Sequence, residues 1–300
     1  MSSSTPPPPR FSDSLLAWYF VTIWGCGFLA TKLGLQHAAP FTFLALRFAF
    51  GIVCLSLLVL VLRPRWPETR AEWGHVIVAG LLMHTVHLGG SHYAQYLGLS
   101  AGITAVLLSV QPLLTAVVAG RWLGEHLRPQ QWAGIAIGLA GVTLIVWHKI
   151  NVDEATLGAL IAVLISLAGV TVGSLYQRSW CPQTDLRTAA LLQFVSNFIV
   201  LVPLAWMVEG AVVRWSWSLA ASIVFLVIGA SILAVNAFHT LMRRGQATRV
   251  SSLIYLTPIF AVALELPMFG VVPSLLSLAG IAITCLGVAM VSLAPRRPLA

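Results

Sequence analysis

Apolar residues run along this chain in ten long stretches, at residues 14–34, 40–62, 74–97, 101–122, 130–148, 156–178, 187–208, 218–241, 247–269 and 272–294, separated by short polar connections. A bilayer core of about 30 Å is crossed by about 20 apolar residues of α-helix. Each stretch therefore predicts a membrane-spanning helix, and together they consume nearly the whole chain. Helix punctuation sits at their edges: Ser12 and Asp13 before the first, Pro40 opening the second, Arg63-Pro64-Arg65 closing it, Pro129 before the fifth and Pro295 after the tenth. The expected fold is an all-α integral membrane protein of ten spans.

The pattern also repeats. Laid without a gap on residues 247–293, residues 101–147 match at Ala101, Leu107, Pro112, Gly124, Ala133, Gly134, Ile135, Ala136, Ile137, Gly141 and Val142, each identical to the residue 146 positions later. Coincident prolines and glycines in one register are harder to obtain by shared composition than coincident aliphatics. Two five-helix repeats are expected, 14–148 and 156–294, between a disordered tail at 1–13 and a short tail at 295–300. Because five is odd, the second repeat must enter the membrane from the opposite side. Inverted repeats belong to secondary transporters, where two copies of opposite orientation can exchange conformations around a midplane site.

Composition narrows the alternatives. The chain is 58% hydrophobic and 9% charged, with a mean hydropathy of +0.90, which excludes a water-soluble surface. Its net charge of +8 comes from cations scattered near span ends, which orient a membrane protein and do not form a nucleic-acid patch. With ten spans, thirteen cations fall in one set of connections and tails and only Lys32, Lys149 and Arg214 in the other, while Arg47 lies inside the second span. The positive-inside rule then places both termini in the cytoplasm of an inner-membrane protein. Cys26, Cys54, Cys181 and Cys285 form no C-x-x-C pair, so neither a disulfide framework nor a metal centre is expected. The proline-rich start has no cleavage site after the first apolar run, which reads as a retained helix.

Trp24-Gly25-x-x-Phe28, Leu46-Arg47 and the run from Leu107 to Gly141, with its mid-helix proline, Gly124-Glu125 pair and glycine-rich fifth span, resemble the EamA-type carriers of the drug/metabolite transporter superfamily over essentially the whole chain. The second repeat departs from the pattern, with Val271 following Gly270 where the first has Glu125. The resemblance implies a central cavity lined by spans 1, 3, 4, 6, 8 and 9, with spans 5 and 10 packed together. It implies transport of amino acids, other metabolites or drugs. The aromatic content of the mid-membrane residues points to exporters of aromatic and neutral amino acids of the YddG type.

Ionisable groups inside spans are costly and mark function by default. Glu265 is the acid well inside a span, a candidate for proton or charge coupling, with a salt bridge to Arg47, Lys32 or His92 as the plainer reading. His84 and His87 are three residues apart and share a helix face; either could line the cavity, and His84 could couple protons. On the spans that the resemblance assigns to the cavity, Trp24, Gln111, Ser174, Tyr176, Asn236, Tyr255 and Thr257 combine aromatic faces with hydrogen-bonding groups, which suits a zwitterion with an apolar side chain. Ordinary packing is the alternative for each. Pro112 and Pro258, matched by the repeat, remove backbone hydrogen bonds and are expected to kink or gate their spans. Gly134, Gly138, Gly141, Gly280 and Gly287 read as a close-packing face between spans 5 and 10 or between subunits.

No cofactor or metal is implied; the partners are a small-molecule substrate and membrane lipid, with no nucleic acid. One chain suffices for transport, and a homodimer is compatible with it. Gly169-x-Thr171-x-Gly173 lies in mid-helix, so it is not a hydrolase nucleophile elbow. No phosphate-binding loop is present, which disfavours an ATP-driven pump and leaves gradients or a separate partner as the source of any drive. A channel stays open as an alternative, to be separated by the flux per molecule.

Overall fold

The computed structural model describes residues 11–122, 127–147, 154–243 and 256–292. These residues are helical, with one isolated bridge, Ala38 to Val213, between two connections. The helices are α1 Phe11–Leu35, α2 Pro40–Leu62, α3 Arg70–Gly80, α4 His87–Tyr96, α5 Ala101–Leu108, α6 Gln111–Trp122 and α7 Pro129–Trp147. They continue with α8 Glu154–Trp180, α9 Leu186–Glu209, α10 Trp217–Val224, α11 Val235–Arg243, α12 Thr257–Phe269 and α13 Leu275–Ser292. By length and composition, six helical runs are apolar enough to cross a membrane, and Thr257–Phe269 and Leu275–Val291 are shorter apolar helices.

Polar residues at the edges of the apolar stretches start the helices. Thr69, Ser100, Asp185 and Ser216 each accept a hydrogen bond from a first-turn backbone N–H of α3, α5, α9 and α10. Gly210 and Gly270, both at φ 68°, close α9 and α12 in the left-handed conformation that favours glycine.

Two helices are wound differently in their middles. Leu81–Val86 joins α3 to α4 as a π segment, and Phe225–Ala234 joins α10 to α11 in the same way. Such wide turns shift the following residues around the helix axis and cluster at functional sites. Displaced by 146 residues, the first π segment falls on 227–232, inside the second. The bounds of α2 fall on 186–208 and those of α7 on 275–293, next to the observed α9 and α13.

The proline expectation takes a different form. Pro112 is the second residue of α6, just after a tightened turn at Ser109 and Val110, and Pro258 lies in the first turn of α12. At a helix start the missing N–H has no intrahelical partner to lose. Pro112 thus follows an interruption between α5 and α6 within one apolar run, and the residues before Leu256, where the matching feature at Pro258 would fall, lie outside the described residues.

Packing is tightest where side chains are smallest. A Cβ on Gly134 would meet the Gly287 carbonyl at 2.8 Å, and one on Gly141 would meet the Gly280 carbonyl at 2.8 Å. α7 and α13 therefore touch backbone to backbone within one chain, and Gly138 lies against Gly287 and Leu113. The Gly169 and Gly173 pair serves a similar contact, pressing α8 onto Leu82 and Met83 of the first π segment. α2 and α9 pack through Leu44, Phe48, Leu55, Leu191, Phe194 and Leu201. Trp206, Trp215 and Trp217 stand exposed where α9 ends and α10 begins, as an interfacial aromatic belt requires.

Candidate functional site

Polar side chains of the buried network link helices far apart in sequence. Gln111 on α6 donates to the Ser174 hydroxyl on α8 at 3.4 Å, so two predicted site residues stand side by side. Tyr176, two residues further along α8, shares a 2.7 Å hydrogen bond with His75 of α3, and Trp180 stacks on that imidazole at 4.8 Å between centroids. His75 was not among the expected residues; it falls near the edge of its apolar stretch, where nothing in sequence separates it from a solvated residue.

The histidines of the third stretch do different work. His84 lies in the π segment, where its Nε2 meets the Gln193 side-chain oxygen of α9 at 3.3 Å and its ring lies between Phe48 and Phe194. Its Nδ1 is buried without a hydrogen-bond partner. His87 Nδ1 is 2.8 Å from the Ser166 hydroxyl, which also donates to the His87 carbonyl, tying α4 to α8. Thr85, between them, bonds Asn197 of α9. Gln193 and Asn197 also escaped the sequence reading, because a polar residue on an apolar helix does not announce its partner.

Trp24 on α1 is 39% exposed and tilts against Phe20 at 5.2 Å between centroids. Next to it, the Gly25 position faces the Thr257 carbonyl of α12, and the buried Thr257 hydroxyl has no hydrogen-bond partner among the described residues. Asn236 donates to the Ile232 carbonyl and is exposed. It lines a cavity of about 690 Å³ with Leu55, Leu58, Arg187, Ser231 and Thr240. Tyr255 lies outside the described residues.

Glu265 is held completely. Its carboxylate accepts from Lys32 Nζ at 2.7 Å and from the backbone N–H groups of Ala101 and Gly102 at 2.9 Å each. It thereby completes the N-terminal cap of α5, where Ser100 serves Ile103 N–H. Lys32 also stands 4.5 Å from the centre of the Phe269 ring. Of the three partners open to Glu265, Lys32 makes the bridge. Glu209 acts similarly on α2, whose own cap residue Ala39 offers no side-chain bond: its two oxygens accept from Phe41 N–H, Thr42 N–H and the Thr42 hydroxyl.

Arg47 stands apart. It is 8% exposed, its Nη2 donates to the Ser231 hydroxyl of the second π segment at 3.1 Å, and its Nε has no partner among the described residues.

The described residues are helical, rich in apolar runs long enough to cross a membrane, with polar residues paired between helices, and by class this is an integral membrane protein. The EamA-like transporter family model matches it twice, over residues 13–147 and 155–293. The chain belongs to that family, within the drug/metabolite transporter superfamily. It is 27% identical over 286 residues to an uncharacterized inner membrane transporter, YedA, of Escherichia coli, covering 93% of this chain and 90% of that one. It is 24% identical over 277 residues to a probable amino-acid metabolite efflux pump of Salmonella typhimurium, covering 89% and 90%. A solved crystal structure superposes with a TM-score of 0.64 at 21% identity, covering 94% of this chain and 96% of the other, a likeness of fold.

Proposed function

We propose that the protein exports small organic metabolites, most of all aromatic and neutral amino acids, by alternating access between two inverted five-helix repeats. The observation that carries this reading is the double family match in one chain, supported by the 146-residue recurrence of helix bounds and π segments. The ten apolar stretches and the cation asymmetry support ten spans with both tails cytoplasmic. The relative named as an amino-acid metabolite efflux pump supports the cargo. A cavity of about 690 Å³ lies between α2, the start of α9 and the α10–α11 run, within the size range of small-molecule sites, and Asn236 is the expected contact residue that lines it.

In this reading Trp24, His84, Gln111, Ser174, Tyr176, Asn236, Tyr255 and Thr257 contact substrate at successive stages, and His87 holds the wall formed by α4 and α8. Charge coupling at Glu265 requires that its bond to Lys32 break during the cycle.

Reconstitution into liposomes tests the function directly. Labelled phenylalanine, tryptophan and leucine are expected to move, at rates of a carrier and with loss of transport in Trp24→Ala or Gln111→Ala. Failure to move any amino acid, with a drug or another metabolite moving instead, would overturn the cargo. A flux far above carrier rates would overturn alternating access.

A further inference from the structure

The two π segments each receive a polar side chain from the helix before them in the other repeat. In one, Gln193 of α9 meets His84, and its amide also donates to Gln177 at 3.3 Å. In the other, Arg47 of α2 meets Ser231. On the 146-residue register Arg47 corresponds to Gln193, while Ser231 corresponds to Thr85, the neighbour of His84, so the two bridges reach adjacent positions of the π segments. The neutral residue of one repeat makes its bridge and is satisfied on both ends of its amide. The charged residue of the other makes one hydrogen bond to a neutral hydroxyl, which itself donates to the Leu226 carbonyl at 2.9 Å.

An inter-helix bridge therefore does not need a charge at this position. A guanidinium carries five N–H donors, and an ion buried in an apolar interior without a counter-ion is costly. Among the described residues the acids nearest the interior are engaged elsewhere, Glu265 on Lys32 and α5, Glu209 on the start of α2, and Asp185, which lines the same cavity as Ser231, on the first turn of α9. Among the described residues the salt bridge found is that of Lys32 with Glu265. Ser231 meanwhile is shared: it accepts from Arg47 and lines the large cavity, halfway along the α10–α11 run.

We infer that Arg47, with Ser231, is the anchor for a carboxylate group of the transported molecule, a counter-ion that arrives with the substrate. The bidentate fork of arginine fits a carboxylate; Arg47 itself does not line the cavity, and a carboxylate that reached Ser231 from it would replace the hydroxyl as the partner of the guanidinium and supply the missing negative charge. This rests on the amino-acid reading for its natural ligand, but the carboxylate assignment can be tested apart from it.

The experiment measures thermal unfolding of the purified full-length protein in detergent with L-phenylalanine, L-phenylalaninamide, 3-phenylpropionate and phenethylamine, since a ligand that binds the folded state raises the midpoint. The wild type is expected to be stabilised by both carboxylates and little by the amide or amine. Arg47→Gln, which copies the residue of the other repeat and keeps a bridge to Ser231, should fold and lose at least about tenfold in carboxylate affinity, a typical loss of one charge-assisted contact. Arg47→Lys should weaken the acids severalfold while keeping their preference over the amide, and it carries the test if the glutamine variant does not fold. Binding of 3-phenylpropionate but not of phenylalanine, lost in Arg47→Gln, would keep the anchor and overturn the amino-acid reading. Equal binding of phenylalanine and its amide by the wild type would do the reverse. An acid-to-amide ratio unchanged in the arginine variants, or no carboxylate bound by the wild type, overturns the anchor.

Discussion

Removing the charge of Glu265 takes a partner from Lys32 and weakens two backbone hydrogen bonds at once, whereas removing Lys32 leaves the carboxylate with both N–H groups of α5. The two halves of this pair are therefore unequal. Glu265→Gln is expected to cost about 3 kcal/mol, at the low end for breaking a buried pair, because Lys32 is a quarter exposed and can reach solvent or headgroups. Lys32→Met should cost clearly less. Thermal unfolding of both single variants and the double variant checks this; equal losses, or additivity in the double variant, would mean that the pair and the cap are not coupled.

Cys181 offers a second reading at this scale. It follows the end of α8, lines the large cavity, and burial pushes its thiol above the usual cysteine range. Thiolate is the reactive form, so maleimide labelling of a variant keeping only this cysteine should stay slow at neutral pH. It should accelerate as pH rises through and beyond the ordinary cysteine midpoint. A transported amino acid present in excess should slow it further. Labelling that is fast at pH 7 and indifferent to substrate would contradict both the burial and the place of the cavity on the transport path.

Among the elements, the α7–α13 contact is set by what glycine lacks. A Cβ at Gly287 would lie 2.5 Å from the Gly134 carbonyl and closer still to the backbone of Gly138. The helices must separate to admit it, so Gly287→Val is expected to cost several kcal/mol, in the upper range of single substitutions. Gly74→Ala in α3 is the contrast, since nothing lies within 4 Å of that Cβ and alanine gains about 0.5–1 kcal/mol in a helix interior. Expression and unfolding midpoint of the two variants should move in opposite directions. The glycine face was legible because its residues recur at helical spacing in both repeats. The π segments were not, since their sequences, LLMHTV and FLVIGASILA, carry no propensity signal that separates wide turns from ordinary α-helix.

At the scale of the molecule, the topology makes a prediction free of any ligand. Green fluorescent protein joined after Ala300 should fluoresce, and alkaline phosphatase joined at the same point should be inactive, because an even number of spans returns the chain to the side on which it started. Active phosphatase would overturn the cytoplasmic placement of the C-terminus; if the N-terminus still lay in the cytoplasm, it would also remove the ten-span count and the inverted relation of the repeats.

What the sequence determined by itself is what depends on local composition: apolar lengths, caps, the glycine face and the register that relates one half to the other. These follow from the cost of exposing a backbone to lipid and from helical spacing, both readable one segment at a time. Tertiary structure alone decided the partners: Glu265 with Lys32 and the start of α5, Glu209 with the start of α2, His75 with Tyr176, and Arg47 with Ser231. Those pairs join residues 101 to 233 positions apart. Which one a buried polar group meets depends on how the helices stack and rotate, including the shift that each π segment imposes, and no single stretch of sequence contains that information.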